Sequence, residues 1–266
     1  MLASPSTAEP RVATQDPEHR RVERAMGTMI SLFTPDGGAS SPGVDEAFAW
    51  LHEVDDRFSP FKPESEVSLV MHGQLAMGDV SADLAEVLEI ADAVGALSGG
   101  AFDIRGHRGD GLPDPTAVVK GWSVDRAGAM LTAAGIDRFY LTAGGDVLVR
   151  GGQEDGVPWK VGVAHPHTRD AVALVLEAED LAVATSGTTE RGQHIVDART
   201  DEVATELLTV TVAGPVLARA DSYATAAFAM GREGLRWVDS LPGYVAAGIT
   251  PDRRLITTRG LDRYRA

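Results

Sequence analysis

The order in which helical and strand signals fall is what most constrains this fold. Helical apolar spacing marks 44–56, 81–98 and 116–134. Strand signals then follow one another at 139–142, 146–149, 159–164, 171–178, 182–185 and 207–213, with no helix between them. Helices at 221–231 and 233–238 and a hairpin of 244–249 and 254–258 close the chain. Clustering of this kind predicts an α+β fold; a doubly wound parallel sheet needs strict alternation. The clearest helix is 81–98. Ser81 caps it, Leu84, Val87, Leu88, Ala91 and Val94 form its apolar face, and Gly99-Gly100 stops it. Residues 24–34 read as a first strand interrupted by Gly27, and the prolines of 58–66 exclude a regular helix there.

Residues 1–23 are polar, with no apolar leader, and are expected to be a flexible tail before one domain over 24–266. No run of 18 apolar residues occurs, and a cytoplasmic location is expected. The net charge of −15 disfavours nucleic acid and anionic membrane as partners. An anionic ligand would have to be met by local cations, backbone amides or a metal. With no cysteine, disulfides, thiolate metal sites and a cysteine nucleophile are excluded. There is no P-loop, no G-x-G-x-x-G after a strand, and no nucleophile elbow around Thr185-Ser186-Gly187.

Three features carry chemistry, each with a plainer reading beside it. Asp221 and Thr225 share a helix face at i and i+4 and offer two hard oxygens suited to Mg²⁺ and hence to phosphate chemistry. Equally, Asp221 could cap the helix and Thr225 could pack. Lys120 is the lone cation of an apolar stretch, either snorkelling or kept for an anionic ligand. His194 is either a buried histidine or a proton acceptor. His165 and His167 form a turn-like pair, and no histidines show H-x₃-H spacing.

Eight short blocks in order resemble the ApbE family of FAD:protein FMN transferases. They are Met26-Gly27-Thr28; Phe58-Ser59-Pro60-Phe61 with Ser65-Glu66; Gly100-Ala101-Phe102-Asp103; Lys120-Gly121 with Val124-Asp125; Gly144-Gly145-Asp146; Thr185-Ser186-Gly187; His194-Ile195-Val196-Asp197 with Arg199-Thr200; and Ala220-Asp221 with Thr225. The resemblance implies mixed sheets with flanking helices in two lobes, with the flavin site between them. It implies FAD contacts at Met26, Phe61, Ala101, Phe102, Asp103, Asp114, Lys120 and Ile195. It implies Mg²⁺ on Asp221, Thr225 and the backbone carbonyl of Ala117. The implied reaction moves FMN from FAD to a Thr or Ser hydroxyl of an acceptor flavoprotein and releases AMP. His194 is the candidate base and Asp103 the second. An FAD-binding or FAD-hydrolysing protein, or a binding module without a metal, are the alternative readings.

The chain departs from the family pattern at several points. Phe61 stands where a tyrosine is usual, so stacking can remain while a hydroxyl is lost. Only ten residues separate Asp103 from Asp114, where relatives carry a longer insert. Asp201 replaces a turn glycine, which predicts a less sharp turn. The asparagine usual after the Ser-Glu block is absent around Met71-His72.

Overall fold

A computed structural model describes residues 17–105, 113–168, 171–188 and 195–266. In chain order the elements are β1 (Arg20–Ala25), β2 (Thr28–Phe33), α1 (Pro42–Phe58), α2 (Glu66–Met71), α3 (Ala82–Leu97) and α4 (Thr116–Ala133). Then come β3 (Phe139–Ala143), β4 (Asp146–Arg150), β5 (Trp159–Ala164), β6 (Val172–Ala178), β7 (Leu181–Gly187), β8 (Val196–Asp197), β9 (Glu202–Val203) and β10 (Thr209–Gly214). The last are α5 (Leu217–Ala229), α6 (Arg232–Asp239), β11 (Val245–Ile249) and β12 (Leu255–Thr257). A 3₁₀ turn, Arg259–Tyr264, ends the chain.

Eight strands form one sheet in the order β1-β2-β3-β4-β7-β10-β11-β12. Every neighbouring pair in it is antiparallel. The hairpin β5-β6 stands apart from it, as does the small pair β8-β9. The α+β expectation therefore holds, and two apolar cores occupy opposite faces of the large sheet. Leu148, Ala182, Ala184, Val210 and Val212 face the helices. Val147, Val149, Leu181 and Val183 face the β5-β6 hairpin, with Trp159, Val161 and Leu176. Since the central strands are covered on both sides, β10 is buried at all six positions. That is why they read as continuous apolar runs in sequence rather than as clean alternation.

Local chemistry explains most boundaries. Ser81 Oγ accepts the Leu84 amide at 3.2 Å, and its own hydroxyl donates to Glu66 Oε2 at 2.7 Å. The carboxylate of Glu66 thus ties α2 to the start of α3. At the other end Gly99 and Gly100 take φ of 63° and 88°, a left-handed stop that side chains resist.

Three expectations are corrected. The stretch 24–34 is not one interrupted strand. Met26 (φ 51°) and Gly27 (φ 71°) form a two-residue turn, and Ala25 pairs with Thr28 across it. The stretch expected as tail to residue 23 includes Arg20–Glu23, which form most of β1; residues 1–16 lie outside the described residues. The helix expected at 221–231 begins at Leu217, four residues before Asp221. Asp221 therefore sits inside the helix and does not cap it.

Candidate functional site

Asp125 of α4 supplies the cap that α5 lacks. Its Oδ1 accepts the Leu217 amide at 2.9 Å, and its Oδ2 accepts the Ala218 amide at 2.8 Å. Val216, at the cap position, offers no side-chain acceptor. Burial raises the Asp125 carboxyl above its ordinary pKa, while the two amides pull it back. The helices can approach this closely because residue 121 is glycine. A Cβ there would stand 2.8 Å from Ala218 Cα and 2.9 Å from Leu217 O. The Lys-Gly and Val-Asp block is thus the contact that sets α5 against α4.

That contact brings together residues far apart in sequence. Lys120 Nζ lies 2.5 Å from Asp146 Oδ2 and 3.6 Å from Asp221 Oδ2. Asp146 opens β4 and shares its helix-facing side with Leu148, since strand side chains alternate. Its Oδ1 accepts the Thr185 amide at 3.3 Å. Among the described residues, Asp146 Oδ2 and Asp221 Oδ2 are buried oxygens that no donor meets in hydrogen-bond geometry. Burial first, and the Asp221 charge second, push the Asp146 carboxyl up to about 7, with Lys120 acting in the opposite direction. Thr225, one turn beyond Asp221, shares a 3.0 Å hydrogen bond with Ser186 Oγ of β7. Two carboxylates, two hydroxyls and one ammonium therefore meet where α4, α5, β4 and β7 converge. No group of three His, Asp or Glu occurs among the described residues, so a metal here would also draw on hydroxyl and carbonyl oxygens.

The glycine-rich turns lie against the same region. Gly144 and Gly145 (φ 56° and 91°) close the β3-β4 hairpin, and a Cβ on Gly144 would come within 2.9 Å of Thr28 Oγ1. Ser123 Oγ contacts Met26 Sδ at 3.4 Å and donates to Lys120 O at 2.9 Å. Met26 is thereby held against the turn of α4 that carries Lys120. Ala117 lies one turn before Gly121 and is half-buried.

The remaining candidates are more scattered. Ala101 and Phe102 are buried, and Ala101 O accepts the Ala198 amide at 3.5 Å. Asp103 Oδ1 accepts the Arg105 amide at 2.8 Å. Asp103, Phe102, Asp92 and Arg105 line a cleft of about 220 Å³. Asp114 Oδ1 accepts both the amide and the hydroxyl of Thr116, at 3.2 and 2.7 Å, and so caps α4. Ile195 is buried, and its carbonyl accepts the Ala204 amide at 3.0 Å. Phe61 is 92% exposed. His194 lies outside the described residues. The turn at Asp201 stays closed: the residue takes φ 58°, and its amide and that of Thr200 both reach Asp197 O. The expected loosening does not occur, because aspartate tolerates the left-handed region.

Asp146, Ser186 and Asp125 belong to the arrangement; each stands in one of the ordered blocks, but none was given a role in the site from sequence. A signal existed for Asp146, an acid on the strand side that Leu148 buries. For Asp125 the block membership was visible but the capping role was not, since its partners are 92 and 93 residues away.

A family model, the ApbE family, matches residues 26–107 and 113–249. The chain belongs to the ApbE family. Among named relatives, the FAD:protein FMN transferase of Treponema pallidum is 33% identical over 172 residues, covering 57% of this ApbE chain and 48% of the relative. That of Vibrio cholerae is 32% identical over 130 residues, covering 45% and 39%. The chain thus spans under half the length of these curated relatives in the matched regions. The solved ApbE protein from Thermotoga maritima has a TM-score of 0.81 at 20% identity, covering 93% of this chain and 99% of that one. The Vibrio cholerae flavin transferase ApbE gives 0.78 at 22%, covering 92% and 98%. At that identity the likeness is one of fold. Among the described residues no helix is long and apolar enough to cross a membrane.

Proposed function

We propose that this ApbE protein transfers FMN from FAD to a Thr or Ser hydroxyl of an acceptor flavoprotein and releases AMP. The observation that carries the reading is the buried meeting of Lys120, Asp146, Asp221 and Thr225. Two carboxyl groups crowd one ammonium there, an arrangement that does not favour a pyrophosphate without a further cation. The buried Asp221 Oδ2, which no donor meets in hydrogen-bond geometry, and the Thr225 hydroxyl one turn on are the hard oxygens that Mg²⁺ prefers. The residues present fit the ion, and Asp221, Thr225 and the Ala117 carbonyl would hold it. Bound there, Mg²⁺ supplies charge neutralisation at the phosphates bridging FMN and AMP.

The chain's own groups do the rest. Met26, Phe61, Ala101, Phe102, Asp103, Asp114, Lys120 and Ile195 are assigned to FAD. Asp125 fixes the start of α5 and so the position of Asp221; Ser186 orients the Thr225 hydroxyl. The acceptor hydroxyl oxygen bonds to the FMN phosphorus as the bond from that phosphorus to the AMP phosphate oxygen breaks. The hydroxyl proton passes to His194, whose ordinary pKa suits a base near neutral pH, with Asp103 the second candidate.

The test is incubation with FAD, Mg²⁺ and an FMN-binding acceptor domain, read by in-gel flavin fluorescence. Covalent flavin on the acceptor is expected. AMP and free FMN with an unlabelled acceptor would replace transfer by hydrolysis, and no flavin binding at all would leave a binding module. His194→Ala is expected to keep FAD and slow transfer by roughly 10²–10⁴; a wild-type rate would move the base role to Asp103.

A further inference from the structure

We propose that Asp146 makes FAD binding depend on the divalent cation, by holding the Lys120 ammonium between two carboxylates so that the site rejects bare FAD and admits it with metal. The inference rests on the transferase reading for the identity of the ligand. Its basis is charge and placement. Asp146 is 1% exposed and starts β4 directly after the Gly144-Gly145 turn, so its carboxylate is largely shielded from solvent. One oxygen is engaged by the Thr185 amide and the other faces Lys120 at 2.5 Å. The same ammonium is 3.6 Å from Asp221 Oδ2.

The sum of charges decides what the pocket can accept. A lysine alone would attract a pyrophosphate, and a lysine with Asp221 would be neutral. With Asp146 added the set is negative, and an anion approaching it is opposed until a divalent cation reverses the sign. Asp146 thus acts on FAD through Lys120 and the local field, as a positioning residue. A merely structural Asp146 would serve only as the counter-ion that lets Lys120 be partly buried. Removing it would then change stability and leave the coupling between metal and FAD as it was.

The experiment is calorimetry on the full chain at pH 8.5. FAD is titrated in EDTA and again in excess Mg²⁺, and Mg²⁺ is titrated alone. Wild type is expected to bind FAD at least about tenfold more tightly with Mg²⁺, the order of magnitude of one partly screened unit charge at short range. In Asp146→Asn, metal-free FAD should bind about tenfold more tightly than to wild type, and Mg²⁺ alone should bind more weakly. Lys120→Gln should do the reverse, with weaker metal-free FAD and tighter Mg²⁺. An Asp146→Asn protein with the wild-type ratio of affinities overturns the proposal, whatever its melting temperature. If that variant does not fold, Lys120→Gln decides, and unchanged affinities there overturn it. A wild type that transfers FMN while Asp146→Asn keeps the wild-type ratio sinks this inference alone. A wild type that binds no FAD with Mg²⁺ sinks the transferase reading with it.

Discussion

Replacing Asp125 with alanine tests how the site is built without touching it. Leu217 and Ala218 are 0% and 2% exposed, so water cannot replace the carboxylate on their amides. Each unmet buried N–H costs about 1–3 kcal/mol. Part of that is offset, because burial raises the Asp125 pKa and its charge is itself costly in that position. The net loss comes to about 2–4 kcal/mol, within the range of the larger single-residue effects. At roughly 2–4 °C per kcal/mol for a chain of this size, Tm should fall by about 5–15 °C. Asp125→Asn keeps an acceptor without the charge and should lose about half as much. Thermal unfolding of the three proteins followed by circular dichroism reads this directly. Since α5 carries Asp221 and Thr225, Mg²⁺ affinity should fall in the same order as Tm. An alanine variant melting within about 2 °C of wild type would refute the claim that a residue on α4 caps α5.

Gly121→Ala should cost about 1–3 kcal/mol of stability, read as a lower urea midpoint with m unchanged, because the new methyl meets backbone that cannot yield cheaply. Asp221→Ala should abolish Mg²⁺-stimulated turnover and calorimetric Mg²⁺ binding; Tm should hold or rise, since a carboxylate facing Asp146 is removed. Full turnover by that variant would remove Asp221 from the metal site. The Arg199 side chain, more than the backbone amide, holds the Asp197 carboxyl below its ordinary value of 3.8. A depressed pKa adds stability that is present above 3.8 and lost as pH falls through the folded value. Arg199→Ala should therefore cost under about 1 kcal/mol at pH 7, a difference that shrinks in denaturation curves as the pH falls below 3.8 and through the folded value.

How much of this was readable in advance follows from the range of each interaction. Helix α3 was legible to within a residue because Ser81, its five apolar positions and Gly99-Gly100 all act within a few turns. The β3 and β4 strands and the turn between them were legible for the same reason. So was the shared face of Asp221 and Thr225, a consequence of helical pitch alone. The β1-β2 hairpin was not, because its turn asks a methionine to take a positive φ that no propensity assigns to it.

What the sequence by itself determined, then, is most of the longer helices and strands, the absence of thiol chemistry, and the ordered blocks that mark the family. Tertiary structure decided which way those blocks face. It started α5 at Leu217, because the cap arrives from Asp125 on another helix. It also turned Lys120 from a cation available to a ligand into one shared by two carboxylates, because closing a sheet of eight strands sets Asp146 opposite α4 and α5. Capping by a distant side chain and the charge of a buried site are sums over neighbours that only the folded chain brings together, so no local pattern could have carried them.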